Sequence, residues 1–247
     1  TTAAQLREIV QRGISSFMVM ADASGAIAMV ECTTKSCAVY RPDEDWFGQA
    51  NHARTPAMIP FDRYRSPDSF DRRSGMENAV RPWLGRLTPE VATEILRDRS
   101  THPWPNASNV ANLAVLNAAV VHPASRTLWH STTMQPHAPF GAYLGLSLGK
   151  AASPPRTLPA SPLLVGDAMA REREAVAAAR RAMHALLDAR HAEAAAGFEA
   201  LLQATPPVLD PARIAIGGAL ARFASGETVA ARSALTPSLD ESAPVDV

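Results

Sequence analysis

Between residues 15 and 54 the chain alternates short apolar runs with clusters of turn-forming residues. The runs are set apart by Asp22-Ala23-Ser24-Gly25, Thr33-Thr34-Lys35-Ser36 and Pro42-Asp43-Glu44-Asp45, each rich in residues that reverse a chain easily. The pattern predicts a β-meander of three short strands, with a fourth strand that delivers Asn51 and His52 at its end. Ahead of it, residues 2–12 form an amphipathic helix with Leu6, Ile9 and Val10 on one face. Thr1 or Thr2 serves as N-cap and Gly13 as the stop. Residues 55–68, dense in Pro, Asp and Arg and without apolar period, read as a surface loop.

The period then lengthens to that of helices over about 69–82 and 88–99, the second opened by Thr88-Pro89-Glu90, a cap residue followed by Pro at the first helical position. Residues 100–109 read as a loop. Residues 110–133 read as a hairpin with Pro123-Ala124-Ser125 at its tip, and Tyr143–Leu148 as a last strand. Helices beside an antiparallel sheet indicate an α+β or layered domain. Residues 149–165 are rich in Pro and Ser and read as a linker. Beyond them the helical segments 167–188, 192–204, 210–224 and 227–236 are separated at Arg190-His191, Pro206-Pro207 and Ser225-Gly226, and residues 237–247 form a flexible tail.

A chain of 247 residues with 47% hydrophobic and 19% charged residues can bury a sizeable core, and its formal net charge of zero gives no electrostatic attraction to nucleic acid. Partners are to be sought in a pocket or an apolar patch. Its two cysteines, Cys32 and Cys37, sit across a predicted turn and are read as free thiols, Cys32 as a buried structural one. No window is long and apolar enough for a membrane span, and no signal peptide is visible. The chain reads as soluble; its compartment stays open, with the cytoplasm favoured. No cofactor is called for, and His102, His122, His130 and His137 lack metal-ligand spacing.

The order strand, Ala21-Asp22-x-x-Gly25, strand ending in Val30-Glu31, strand, Arg41-Pro42, strand, Asn51-His52 resembles the middle of the isopenicillin-N acyltransferase-like hydrolases. These are relatives of choloylglycine hydrolase among the N-terminal-nucleophile amidohydrolases. Ser69-Phe70-Asp71-Arg72 is similar to the family's S-x-x-R at a helix start, and residues 112–133 to its late hairpin. The resemblance covers roughly residues 1–148 and implies a partial αββα sandwich there. A second resemblance lies in 166–236, where AEAAAGFEALLQATP and ETVAARSALTPSL are similar to the second helix of tetratricopeptide repeats. Those hairpins are expected to cover an apolar face, with peptide binding as the other role.

The first resemblance implies linear-amide C–N hydrolysis or acyl transfer through an acyl-enzyme. In this class the first residue attacks with its side chain, and its free α-amine, of pKa about 8, shuttles the proton. Asn51 is then an oxyanion donor; read from its residues alone it equally makes an Asx turn that ends a strand. His52 takes a supporting or substrate-side role. Arg72, or Arg73 if the register slips, matches the family arginine and could hold a carboxylate in its fork; a solvated arginine is the alternative. Pocket walls are expected from residues 55–68, 100–109 and 134–142. Family members begin with Cys leading into a strand, whereas Thr1 leads into a helix, so the nucleophile is expected on an upstream segment or a partner subunit, and the isolated chain is expected to be inactive. The rival reading is an inactive relative that binds a protein partner through its helical hairpins.

Overall fold

A computed structural model of the chain describes residues 16–22, 24–33, 36–62, 65–100, 106–147, 149, 155–204 and 209–240, with the backbone alone for 236–240. The expected N-terminal helix, residues 101–105 of the loop 100–109, the Pro206-Pro207 break and the end of the expected tail lie outside them. The chain divides into two units, 1–161 and 162–247. The first is α+β, with two separate antiparallel sheets, and the second is helical.

The first sheet is the expected meander: β1 (Ser16–Ala21), β2 (Ile27–Cys32) and β3 (Cys37–Tyr40), in that spatial order. Asp22 builds the first reversal, its Oδ1 accepting from the Ser24 and Ala26 N–H groups while Gly25 takes φ +90. As the middle strand, β2 buries Met29, Val30, Glu31 and Cys32 on both of its faces. Cys32 and Cys37 are not free thiols. They face each other across the β2–β3 ladder with Cα atoms 4.2 Å apart and form a disulfide. A four-residue reversal between antiparallel strands brings directly opposed residues to this spacing, within reach of a bridge.

The fourth strand of the expected meander does not form. After β3 the chain runs irregularly to Pro56, and Asn51 and His52 sit in a bend. Helix α1 (Pro67–Val80) and helix α2 (Pro89–Leu96) follow close to their expected places, with Thr88 Oγ1 capping the Val91 N–H of α2.

The second sheet has the order β4 (Ala119–His122), β5 (Thr127–Ser131), β6 (Tyr143–Ser147) and β7 (Arg156–Leu158). The late hairpin is shorter than expected, because residues 110–118 make turns. β7 lies in the stretch read as linker and pairs with β6. Ala118, Trp129, Tyr143 and Leu158 form the core beneath this sheet. The Trp129 ring lies over Gly145, its cross-strand partner, so closely that a Cβ there would come within 2.8 Å of it. Arg97, at the end of α2, is 8% exposed and donates to the carbonyls of Pro139, Gly141 and Pro159, pinning the chain before β6 and after β7. The Tyr143 hydroxyl also donates to Pro139 O, and burial pushes its pKa to about 12.

The second unit comprises α3 (Asp167–Leu187), α4 (His191–Leu202), α5 (Pro211–Ala224) and α6 (Thr228–Asp240), each packed on the next. α6 thus runs into the residues read as tail. The core is mostly Ala182, Ala185, Ala194 and Ala221, with Phe198 and Ile214 as its large side chains. Small residues let these helices approach closely, and Phe198 fills the space over Gly217 and Gly218.

Neighbouring glycines of α5 should therefore respond with opposite signs. A Cβ at Gly217 would stand 2.7 Å from the Phe198 ring, whereas at Gly218 its nearest contact is an ordinary 3.5 Å. Gly217→Ala is expected to destabilise by about 1–3 kcal/mol through overpacking, despite better helix propensity. Gly218→Ala should stabilise by up to about 1 kcal/mol. Urea unfolding of both variants checks this, and equal shifts would show that Phe198 does not set the spacing.

Candidate functional site

Asn51, Ala53, Arg54 and Thr55 give their backbone N–H groups to side chains and not to a strand ladder. Asn51 N–H donates to Ser69 Oγ at 2.8 Å and Ala53 N–H to Asp62 Oδ2 at 2.7 Å. Arg54 N–H donates to Glu31 Oε1 at 2.6 Å; Thr55 N–H and Thr55 Oγ1 donate to Glu31 Oε2 at 2.9 and 2.6 Å. Glu31 is fully buried, and both its oxygens are acceptors for this one loop. Gln49 Nε2 closes the turn from inside by donating to the carbonyls of Ala50 and His52.

His52 is 1% exposed and stacked on Phe70, the ring centroids 4.0 Å apart and the planes within 16°. Its Nδ1 lies 2.8 Å from Ser69 Oγ and its Nε2 lies 3.3 Å from Arg73 Nη1. A neutral ring protonated at Nδ1 satisfies both contacts, donating to Ser69 and accepting from Arg73. Burial, then the cationic Arg73 and Arg65, hold the imidazole below its ordinary 6.5, while Asp62 opposes them. In this tautomer His52 cannot take the Ser69 proton at Nδ1. Ser69 is itself 2% exposed, so the pair is a brace and not an activated nucleophile.

Asn51 is exposed. Its Oδ1 accepts from Arg72 Nη2 at 2.9 Å, and Arg72 Nη1 bonds Asp68 at 3.0 Å and also the Ala107 carbonyl. The side-chain amide is thereby oriented, with its NH2 uncommitted among the described residues. Arg72 and Arg73, which the sequence leaves as alternatives, are both used: Arg72 holds Asn51, and Arg73 holds His52 while its Nε lies 3.2 Å from Glu77. Neither is an isolated solvated arginine.

Beside this cluster opens a polar cleft of about 220 Å³, lined by Tyr40, Trp46 and Phe47, by Arg54, Arg73 and Arg81, and by Asp43, Glu44 and Glu77. Its walls come from the loop after β3 and from α1, not from the loops 55–68, 100–109 and 134–142 expected to form them. Arg73 joins the cleft to the cluster; Asn51 does not line it. Sequence reading missed Glu31, Ser69, Arg54 and Arg81 as parts of the site. The available signal was a charged Glu31 inside an apolar strand, which demands buried partners. Among the described residues no group of three or more His, Cys, Asp or Glu side chains is placed to hold a metal ion, and no helix is long and apolar enough to cross a membrane. Comparison with protein-family models, curated proteins and solved structures gives no match.

Two predictions follow from the bonding of this loop. Glu31→Gln replaces one acceptor oxygen with an NH2 that must face another donor. It should cost roughly 2–4 kcal/mol, seen as a lower urea midpoint with unchanged slope. Unaltered stability would mean that Glu31 does not hold the loop.

His52 carries a pH signature. Because its folded pKa is lowered, the unfolded chain binds the extra proton, and stability falls as pH drops through about 6.5 toward the folded value. Above that range its contribution is constant. Stability of His52→Gln between pH 7 and 5 should fall less steeply than that of the parent, by up to about one proton; parallel curves would contradict a buried neutral His52.

Proposed function

We propose that this chain supplies the oxyanion side of a linear-amide C–N hydrolase or acyltransferase of the N-terminal-nucleophile class, similar to the isopenicillin-N acyltransferase-like enzymes. The observation that carries the reading is the oriented Asn51 amide. Its oxygen is occupied by Arg72, so its N–H groups are the ones presented outward. A neutral donor fixed before reaction stabilises developing negative charge without competing for the proton of an amine base. In this reading the two antiparallel sheets and their helices form part of an αββα sandwich.

The thiolate is not supplied by this chain, because both of its cysteines are consumed by one disulfide and Ser69 is buried. A Cys carried on a segment outside these 247 residues attacks the amide carbonyl. The carbonyl oxygen takes up the negative charge and accepts from the Asn51 NH2. The C–N bond then breaks, with the amine nitrogen leaving protonated by the nucleophile's own α-ammonium. Water or an amine finally attacks the thioester and releases the thiolate. His52 and Arg73 keep the bend in shape, and Arg72 keeps the amide in orientation.

The rival reading, an inactive relative that binds a partner through its helical hairpins, draws on one feature of the second unit. An apolar cavity of about 450 Å³ is lined by Ile216, Leu220, Phe223 and Leu235, and the first three are 48%, 53% and 65% exposed. Exposed apolar side chains gathered in one place are a common mark of an interaction surface.

The test is an assay of acyl amides with the 247-residue chain alone and with the native full-length protein. The chain alone should be silent and the native protein active, and Asn51→Ala in the latter should lower kcat by about 100-fold or more with little change in KM. Hydrolysis by the isolated chain that Asn51→Ala abolishes would overturn the external nucleophile. A native protein with no amidase activity would favour the binding role.

A further inference from the structure

We propose that the cleft beside Asn51 and His52 is a binding site for a small zwitterion of the α-amino acid class. Its two walls carry opposite charge. The loop after β3 contributes Asp43 and Glu44, and helix α1 with its C-cap contributes Arg73 and Arg81. Opposite charges about 4 Å apart attract by about 1 kcal/mol even in water and by more beside protein. Yet among the described residues no ion pair joins these walls. Arg73 pairs with Glu77 on its own helix. The guanidinium of Arg81 lies over the Trp46 ring at 5.4 Å, where a cation–aromatic contact holds it without neutralising it.

The floor is held open in the same way. Arg54 lies 4.4 Å over Tyr40 and 5.9 Å from Phe47, and its Nη1 donates to the Gly48 carbonyl, so it cannot fold across the gap. Gly48 in turn lies against α1, where a Cβ would meet Glu77 Cγ at 2.6 Å, which fixes the loop close to the helix. What remains is a cavity of about 220 Å³ in which, among the described residues, Arg81 on one wall and Asp43 and Glu44 on the other have no counter-ion, with aromatic rings between them. A ligand with one charge pairs with one wall and gains nothing from the charge on the other. A ligand with a carboxylate and an ammonium on one carbon satisfies both. The carboxylate is held in the fork of Arg81, the ammonium goes to Asp43 and Glu44, and an apolar side chain rests on Trp46. The cavity is smaller than the 300–1,000 Å³ of drug-sized pockets, which suits a molecule of this size.

Arg73 lines the cleft and touches His52, so the bound molecule would lie across Arg73 from the bend that carries Asn51. Under the proposed acyl chemistry it is the amine that leaves or accepts the acyl group. That role rests on the proposed function, whereas binding itself does not.

Calorimetric titration of the full chain at pH 6.5 separates the possibilities, using L-leucine as zwitterion, L-leucinamide as cation and N-acetyl-L-leucine as anion. L-leucine is expected to bind saturably and both singly charged analogues at least tenfold more weakly. Arg81→Gln, and Asp43→Asn combined with Glu44→Gln, should each weaken L-leucine at least tenfold. Arg126→Gln, at the β4–β5 tip outside the cleft, should not, and unfolding curves confirm that each variant is folded. Equal binding of the acetylated or the amidated analogue overturns the inference, as does no binding by any of the three or an Arg81→Gln variant that binds as the parent does. Saturable zwitterion binding by a protein with no amidase activity keeps the site and removes only its place in acyl transfer.

Discussion

The buried carboxylate of Glu31 is the constraint from which the candidate site is built. A carboxylate inside a sheet is tolerated only where its oxygens are met by donors, and among the described residues the donors come from Arg54 and Thr55. β2 therefore does more than complete a sheet. Its penultimate residue captures a loop more than twenty residues further on and fixes where Asn51 and His52 stand. The disulfide at the next position ties the end of β2 to the start of β3, the strand from which the chain runs on to the captured loop.

The first unit meets the same problem twice, with charges of opposite sign. Irregular backbone leaves donors and acceptors that no ladder satisfies, and a charged side chain with several bonding sites can collect them. Glu31 collects N–H groups around residues 54–55, and Arg97 collects the carbonyls of Pro139, Gly141 and Pro159. In each case the charge is met by backbone dipoles more than by a counter-ion, for among the described residues Arg97 meets only the exposed Glu94 as an ion-pair partner.

Much of the fold was legible because it follows from local pattern. The meander, helices α1 and α2 and the four helices of the second unit were each visible in apolar period, caps and turn residues. What was not legible came from distant bonding. A fourth strand was expected over an apolar stretch that includes Trp46 and Phe47, but the chain there is irregular, and the backbone at its end and just beyond, residues 51–55, is bonded to Ser69, Asp62 and Glu31, up to 24 positions away. β7 was hidden inside a Pro- and Ser-rich stretch, since three residues added to an edge need no pattern of their own. The cysteines were read as thiols because spacing alone does not reveal that the two positions fall opposite each other in the ladder. Asn51, His52, Arg72 and Arg73 do gather, as the sequence suggested, yet the bonds among them could not be assigned without Ser69 and Phe70.

The division of labour within that cluster bears on what it can do. A polar group whose bonding capacity is filled serves structure, and a group with capacity left over is available to a ligand. His52 is filled: one nitrogen faces Ser69, the other faces Arg73, and the ring is stacked and held neutral. Arg72 is committed at both Nη atoms, to Asp68, Ala107 and Asn51. Capacity remains on the Asn51 amide and on the Arg81 and Arg54 guanidiniums. These three belong to segments positioned by Glu31, by the His52 brace and by aromatic rings. Donors that are fixed before a ligand arrives need little reorganisation when charge develops nearby, and this gives such groups their catalytic or binding value. An exposed asparagine on a mobile loop would have the same chemistry and little of the effect. The buried acid and the neutral histidine make the difference.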